Sequence, residues 1–323
     1  MSTVNMNKIK GLKNMSATIY KFETEVEWLE ARKQDVTSTD LAAMLGLSKW
    51  KSRFALWHEK KSGISAEFIE TDRTIWGKRL QNVIAHGICE DEGWQGEDLG
   101  LFYISDESLR LGCSLDVKVE CPQRGTGLLE VKNIGLDAFA ASWTNEEAPA
   151  YYEVQLMLEM HLARKAGIDI QWGCLGALVG GNKPVLYFRD YDAEIGAMFD
   201  EEVVKFWASI EANEEPKPDY SVDGAAINRI RGAVIEKSTL DVSESNRIPE
   251  LISIYEEGGV MEKEGKAMKE SAKAEILDLI GDAAKAVLPG YSITAGMVQG
   301  GEVSYVREPY RNFRINKSKA KAA

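Results

Sequence analysis

The chain has 323 residues, of which 44% are hydrophobic, so it can bury a sizeable core. Its net charge of −12 at pH 7 argues against a protein that coats nucleic acid loosely. We expect no transmembrane helix, because there is no apolar run of about 18 residues, and no signal peptide, because residues 1–13 lack an apolar segment. Four cysteines without a Cys-x-x-Cys pair favour reduced thiols in a cytoplasm over disulfides or a metal–thiolate centre.

Short helices are predicted near the N-terminus, over residues 23–33, from about residue 40 to a stop at Gly46, and over 52–61. Thr39 or Ser38 suits the N-cap position of the second helix. A hydroxyl group at a helix start, with Arg32 nearby in the sequence, is a physically sound phosphate site. An ordinary cap and a surface arginine fit the same residues.

A longer helix begins at about residue 74, a strand covers 99–104, and a β-hairpin is predicted over residues 111–134. Hydrophobic and polar residues alternate along both strands of the hairpin. Glu130 and Lys132 therefore share one face, while the hydrophobic residues between them point to the core. If the strands pair in register, Asp116 joins Glu130 and Lys132.

These charged side chains suggest metal chemistry. Mg²⁺ prefers carboxylate, carbonyl and water oxygens, and it can activate water and neutralise charge on a phosphate under attack. Asp116, Glu130 and the carbonyl group of Val131 would bind the metal, and Lys132 would orient the attacking water and stabilise negative charge. A solvated surface hairpin fits the same residues, so the hairpin alone leaves both interpretations open.

A helix over 150–165 is apolar on nearly every face and is predicted to be buried, with a polar stripe formed by Tyr152, Gln155 and Glu159. Such a stripe usually faces a site or pairs its groups internally. A hairpin over 170–179 and 184–189 and a helix over 193–212 follow. Residues 214–219 form the clearest linker.

Beyond the linker, the sequence predicts a short helix over 227–235 and a long amphipathic helix over 260–288. Strands are predicted over 291–294, 302–307 and 313–315, and disorder over 316–323. The predicted domains are an N-terminal tail (1–20), a main domain (21–215) and a C-terminal extension with a helical arm and terminal strands (216–323).

The motifs together resemble the YqaJ/lambda-exonuclease type of phage recombination nuclease, within the PD-(D/E)XK superfamily. The spacing of Asp116 and Glu130-Val131-Lys132 is similar to the superfamily core, and Trp76-Gly77-x-x-Leu80 resembles its first nuclease motif. The N-terminal signature is matched by Glu30-Ala-Arg32, Val36-Thr-Ser-Thr39-Asp, Leu45-Gly-Leu-Ser-Lys-Trp and Phe54-Ala-Leu-Trp57. The resemblance covers residues 20–215 well and the remainder more weakly, and it implies that the main domain, residues 21–215, is a PD-(D/E)XK exonuclease domain.

The resemblance implies a role for each matching residue. Arg32 and Thr39 would bind the 5′-terminal phosphate. The catalytic residues implied are Asp116, Glu130, Lys132 and Gln155. The metal ligands implied are Asp116, Glu130, Val131 and Gln81. Where the family motif has Glu, this chain has Gln81, which supplies an amide oxygen but no charge.

The resemblance also implies a restriction-endonuclease-like α/β fold with a mixed central sheet flanked by helices. The implied function is a 5′→3′ exonuclease that uses Mg²⁺, with Mn²⁺ as a substitute and two ions at the site. It would degrade one strand of duplex DNA from its ends in a bacterial host cell, leaving 3′ overhangs for recombination. The alternatives are a structure-specific endonuclease of the same superfamily and a catalytically decayed DNA-binding module.

The implied partners are double-stranded DNA ends, a single-strand annealing protein and further copies of the chain. Lambda-type relatives form ring trimers around DNA. The charge distribution is compatible with DNA held in a basic channel: residues 1–80 carry 14 Lys and Arg against 10 Asp and Glu, whereas residues 81–222 carry 10 against 26.

Overall fold

The computed structural model describes residues 7–8, 16–63, 70–144, 146–233, 235–302, 304–305, 311 and 313–315. The chain divides into two compact units, residues 1–230 and 231–323. The first unit therefore extends past the predicted boundary at 215, and Asp223 packs inside it, where it accepts a hydrogen bond from Ser52 Oγ (2.5 Å). The division of the nuclease domain at residue 215 stays a prediction.

The elements of the described residues are as follows in chain order. The strands are β1 (Asn7–Lys8), β2 (Thr18–Lys21), β3 (Val36–Thr37), β4 (Gln95–Asp98), β5 (Phe102–Asp106), β6 (Leu111–Cys113), β7 (Val117–Cys121), β8 (Gly125–Ile134), β9 (Trp172–Val179), β10 (Lys183–Asp190), β11 (Lys285–Leu288) and β12 (Tyr291–Thr294). The helices are α1 (Glu25–Lys33), α2 (Ser38–Met44), α3 (Arg53–Ser62), α4 (Asp72–Glu92), α5 (Leu136–Ser142), α6 (Ala150–Lys165), α7 (Ala193–Glu211), α8 (Gly224–Ile230) and α9 (Arg247–Ile280).

The central sheet has the order β10-β9-β8-β7-β4 and mixes both strand directions. β8 pairs with β9 in parallel, and the other neighbouring pairs are antiparallel. The predicted hairpin over 111–134 is confirmed only from residue 117, as β7 and β8 joined by a turn at residues 122–124, whereas Leu111–Cys113 form β6 of another sheet. Because β8 and β9 are parallel, the chain between them must cross over the sheet, and this crossover contains α5 and α6.

Helices cover both faces of the central sheet. A Cβ atom added to Gly173 of β9 would meet Leu156 of α6, whereas one added to Gly176 would meet Ile88 of α4. Since side chains alternate between faces along a strand, α6 covers one face and α4 the other. The predicted α/β fold with a mixed central sheet between helices is confirmed.

A second sheet, of order β1-β2-β5-β6-β3, lies in the same unit. Most of its strands were not predicted, because they are only two to five residues long. The predicted strand over 99–104 overlaps β5. The sheet matters for the site because β3 leads directly into α2 and β6 leads into the segment that carries Asp116.

The second unit contains the long helix, but the predicted bounds of 260–288 were wrong. Helix α9 spans Arg247–Ile280, and β11 and β12 then form an antiparallel hairpin. Pro289-Gly290 is the turn of this hairpin, with Gly290 at φ +83°, a left-handed conformation that favours glycine. The Pro-Gly pair therefore marks a chain reversal rather than the end of a helix.

The predicted C-terminal strands differ from the structure in part. β12 confirms the strand over 291–294, whereas residues 302, 304–305 and 313–315 have no regular secondary structure. The rest of the predicted strand over 302–307, and the predicted disorder over 316–323, lie outside the described residues. Within the described part of the chain, none of the helices combines the length and apolarity needed to cross a membrane.

Candidate active site

Asp116, Glu130 and Lys132 meet beside the central sheet, as the hairpin register predicted. Val117 pairs with Leu129, which brings Asp116 alongside the Glu130–Val131 segment. Glu130 is only 3% exposed, because its face of β8 lies under α6. The interpretation as a solvated surface hairpin therefore does not describe Glu130.

Two hydrogen bonds hold the Asp116 carboxylate. Its Oδ2 accepts from the backbone N–H of Val131 (3.0 Å), and its Oδ1 accepts from Nε2 of Gln81 on α4 (2.8 Å). Gln81 therefore reaches the carboxylate that was predicted to bind a metal, and it contributes a neutral donor to it.

The Glu130 carboxylate is fixed by a cation and an amide. Its Oε1 accepts from Lys132 Nζ (2.5 Å) and from Gln155 Nε2 (2.7 Å). Gln155 lies on α6 and also accepts from Lys132 Nζ at 3.4 Å. The crossover helix thus brings the predicted Gln155 into contact with two predicted residues of β8.

Glu159, which sequence reasoning named only as part of a polar stripe, extends this network. Its Oε1 accepts from Gln155 Nε2 (3.0 Å) and from Ser38 Oγ on α2 (2.9 Å). Glu159 is 1% exposed, and its Oε2 has no hydrogen-bond partner among the described residues. A buried carboxylate oxygen without a hydrogen-bond partner lowers stability. The sequence signal that could have placed Glu159 in the network is its helical spacing from Gln155.

The charges of this cluster do not balance. Burial raises the pKa of Asp116 well above its usual value, and the Glu130 carboxylate raises it further. Burial, Glu130 and Asp116 likewise raise the pKa of Glu159. Burial lowers the pKa of Lys132, but Glu130 and Asp116 outweigh that effect, so its amino group stays protonated. Three carboxyl groups thus share the field of one ammonium group, which bonds only Glu130 among them, and their environment favours added positive charge.

The donor set fits a hard divalent cation. Asp116 and Glu130 supply carboxylates, and the Val131 carbonyl and the Gln81 amide add neutral oxygens of the kind that Mg²⁺ accepts. The unpartnered oxygen of Glu159 and the raised pKa of Asp116 both indicate a deficit of positive charge. Within the described ranges, no group of three or more His, Cys, Asp and Glu side chains is arranged as a metal centre.

The predicted phosphate-binding residues line one cavity of ≈ 870 Å³, bordered by α1, α2, α3 and α8. Arg32 packs over the Trp28 ring (4.4 Å) and donates to Ser114 Oγ (2.9 Å), which lies two residues before Asp116. Thr39 is exposed and its hydroxyl group lies 3.0 Å from that of Thr37. The structure thus brings Arg32 and Thr39 to the same cavity.

The predicted N-cap was wrong by one or two residues. Thr37 caps α2 in a capping box with Asp40, and Ser38 and Thr39 are the first helical residues. The hydroxyl group of Thr39 is therefore not engaged in capping. Asp40 is buried and forms ion pairs with Lys51 (3.0 Å) and Lys60 (2.9 Å) at the same cavity.

The mixed sheet and the Asp116–Glu130–Lys132 cluster beside it define an α/β protein with a partly buried acidic site. Residues 27–166 match the family model of the YqaJ-like viral recombinase domain. The resemblance to the YqaJ/lambda-exonuclease type of nuclease is thereby confirmed. All the predicted site residues, from Arg32 to Gln155, fall inside the matched stretch.

The protein "Uncharacterized protein YqaJ" of Bacillus subtilis (strain 168) is 23% identical over 256 residues, which are 78% of this chain and 78% of that protein. The crystal structure of an alkaline exonuclease (LHK-Exo) from Laribacter hongkongensis is 18% identical. Its match covers 64% of this chain and 100% of that chain, with a TM-score of 0.46. A structure of LHK-Exo in complex with dAMP matches with the same identity, coverage and TM-score.

Proposed function

We propose that the protein is a Mg²⁺-dependent 5′→3′ exonuclease that degrades one strand of duplex DNA from its ends. The 3′ overhangs left behind would serve phage-type homologous recombination in the cytoplasm of a bacterial host. The observation that carries the proposal is the cluster formed by Asp116, Glu130, Lys132 and Glu159, in which Lys132 bonds Glu130 and Gln155 joins Glu130 to the buried Glu159. The match to a viral recombinase domain supports a role in recombination.

Asp116, Glu130, the Val131 carbonyl and the Gln81 amide would hold the metal. A bound Mg²⁺, or Mn²⁺ in its place, supplies Lewis acidity that activates water and neutralises charge on the phosphate. The proposed number of ions is two. Gln81 lacks the charge of the family's Glu, so we expect the second ion to be held more weakly.

Lys132 and Gln155 would act on the reacting groups. The pKa of Lys132 is raised, so its Nζ keeps its proton and can donate to the attacking water or to a developing negative charge. Gln155 contacts both Glu130 and Lys132, so it fixes the positions of these side chains relative to one another. A scissile phosphate beside Glu130 would lie within reach of the Gln155 amide.

The end specificity would come from Arg32 and Thr39. Both line the same cavity, so a terminal 5′-phosphate can receive charge-assisted hydrogen bonds from the guanidinium group and a hydrogen bond from the hydroxyl group. The contact of Arg32 with Ser114 links this cavity to the segment carrying Asp116. A phosphate group held there distinguishes a strand end from an internal phosphodiester.

The proposed partners are DNA ends, a single-strand annealing protein that takes up the 3′ overhang, and further copies of the chain in a ring around DNA. Residues 1–80 carry an excess of basic side chains and residues 81–222 an excess of acidic side chains, which supports a ring with a basic interior. A ring trimer is the form proposed.

The test compares linear and circular duplex DNA, each with Mg²⁺ and with EDTA. We expect the wild-type protein to degrade linear DNA in Mg²⁺, and to leave circular DNA intact and all DNA intact in EDTA. The Lys132→Ala variant should degrade neither substrate. The matched control is Lys118→Ala, because Lys118 lies on the adjacent strand β7 and pairs with Glu97 at 3.0 Å, outside the cluster. Thermal melting shows whether each variant folds.

Each contrary result has a defined meaning. Cleavage of circular DNA would favour a structure-specific endonuclease. DNA binding without cleavage by the wild-type protein would favour a decayed DNA-binding module. Equal activity of Lys132→Ala and wild type would remove Lys132 from the mechanism.

A further inference from the structure

Three aromatic rings form a continuous row beside the candidate site. The Trp50 ring contacts Tyr151 (centroids 4.8 Å apart, interplanar angle 76°), and Tyr151 contacts Tyr152 (4.5 Å, 62°). We call these residues the aromatic strip. Trp50 lies in the loop between α2 and α3 and is 67% exposed, whereas the two tyrosines, on the first turn of α6, are half-buried.

The strip connects the two parts of the proposed site. At one end, Trp50 lines the same cavity as Arg32 and Thr39. At the other end, Lys132 Nζ lies 4.8 Å from the centroid of the Tyr152 ring. A row of rings therefore leads from the proposed phosphate cavity to the lysine of the acidic cluster.

Neighbouring contacts hold the strip in place. Trp143 is buried and packs against Tyr152 (5.3 Å). Ser48 Oγ accepts from the backbone N–H of Trp50 (3.2 Å), which fixes the turn that presents the indole ring. Lys49 Nζ lies 5.2 Å from the Trp50 ring and 5.6 Å from the Tyr151 ring, so a cation accompanies the exposed end.

A planar, uncharged group accompanied by a phosphate is the ligand that matches this surface. A nucleobase can stack on an exposed indole ring, and Lys49 and Arg32 supply cations for its backbone. Stacking is tolerant of sequence because every base has a π-face. That tolerance suits an enzyme that must degrade whatever sequence lies at a DNA end.

We propose that Trp50, supported by Tyr151, stacks on the nucleobase of the 5′-terminal nucleotide whose phosphate is bound by Arg32 and Thr39. This inference rests on the proposed exonuclease function and adds a base-binding subsite to it. The ring of Trp50 would hold the end of the strand in line between the phosphate cavity and Lys132.

The test measures binding of 5′-phosphorylated linear duplexes by fluorescence anisotropy in EDTA, so that cleavage does not interfere. One duplex carries a normal 5′-terminal nucleotide and the other an abasic analogue at that position. The proteins are wild type, Trp50→Ala and Trp50→Phe. The control is Tyr291→Ala, since Tyr291 is 75% exposed on β12 of the second unit and belongs neither to the strip nor to the cavity.

We expect removal of the terminal base to weaken wild-type binding by about five- to hundred-fold, the scale of one stacked base. Trp50→Ala should bind the normal end as weakly as wild type binds the abasic end, with no further loss on the abasic end. Trp50→Phe should retain most of the affinity for the normal end, and Tyr291→Ala should behave as wild type.

Equal wild-type affinity for the two ends, with linear DNA still degraded in Mg²⁺, would overturn the stacking proposal and leave the exonuclease function standing. The same loss for Trp50→Ala on both ends would also overturn it. A wild-type protein that neither binds nor degrades linear duplex overturns both proposals.

Discussion

Replacing Gln81 with glutamate puts a new carboxylate directly against that of Asp116. In the structure, Gln81 Nε2 donates to Asp116 Oδ1 at 2.8 Å. The Gln81→Glu variant loses this hydrogen bond to a charged group, which contributes roughly 1.5–3 kcal/mol. Two carboxylates about 4 Å apart also repel by up to about 4 kcal/mol at an effective dielectric constant of about 20, unless one of them is protonated.

We therefore expect Gln81→Glu to lower the free energy of unfolding by at least roughly 1.5–3 kcal/mol in EDTA. For a unit of this size, that corresponds to a fall in Tm of roughly 3–12 °C. Added Mg²⁺ should reverse the loss, because the new carboxylate supplies a charged ligand. Binding to the folded state alone raises stability in proportion to the logarithm of metal concentration over Kd.

The assay is thermal unfolding followed by circular dichroism across a Mg²⁺ titration. The matched control is Gln171→Glu, because Gln171 Nε2 also donates to an aspartate, Asp169, but on the exposed surface (2.5 Å). We expect that control to show a small change in Tm and the wild-type response to Mg²⁺. If Gln81→Glu and wild type gain the same Tm at every Mg²⁺ concentration, Gln81 does not contribute to metal binding.

Three further outcomes are expected. Arg32→Ala should slow degradation of 5′-phosphorylated ends about ten- to hundred-fold, which is the equivalent of losing roughly 1.5–3 kcal/mol. It should slow degradation of 5′-hydroxyl ends much less, and equal slowing of both kinds of end in a nuclease assay would refute the phosphate role. Burial raises the pKa of Asp40, but its lysine partners outweigh this and hold it well below the usual value. Asp40→Asn removes the ion-pair partner of Lys60, which keeps its hydrogen bond to the Asp35 carbonyl (2.6 Å). The variant should therefore lower the free energy of unfolding by about 3–5 kcal/mol above about pH 4, and urea unfolding should show this loss shrinking as pH falls through the depressed pKa. Charged substitutions at Ile276 and Leu279, 40% and 78% exposed on α9, should alter the assembly mass in light scattering more than single-turnover chemistry; an unchanged mass would count against a role in assembly.

Local patterns predicted the elements that carry the site. Helix α6 was predicted with its observed bounds, because Pro149 precedes a continuous apolar run and Gly167 follows it closely. The β7–β8 hairpin was recognisable from alternation and a Pro/Gly-containing turn. The meeting of Asp116 with Glu130 followed from that register alone.

Contacts between distant segments were not predictable in the same way. Ser38 and Glu159 are 121 residues apart in sequence, and their hydrogen bond depends on how α2 packs against α6. The short strands of the second sheet are likewise formed by pairing between segments far apart. Helix α9 was predicted to begin too late because Gly258 and Gly259, which have low helix propensity, lie in its middle.

The burial of helix α6 affects the order in which the parts of the proposed site would be lost on heating. Residues 155–163 of this helix are all buried, and two of them, Gln155 and Glu159, belong to the acidic network. Amide protons there should exchange with solvent only when the whole first unit opens, whereas the exposed loop carrying Trp50 can open locally. Capture of a strand end would thus fail at a lower temperature than the arrangement of the acidic residues. On the proposed function, a protein warmed to just below its Tm would keep the acidic cluster in place but lose its binding of DNA ends.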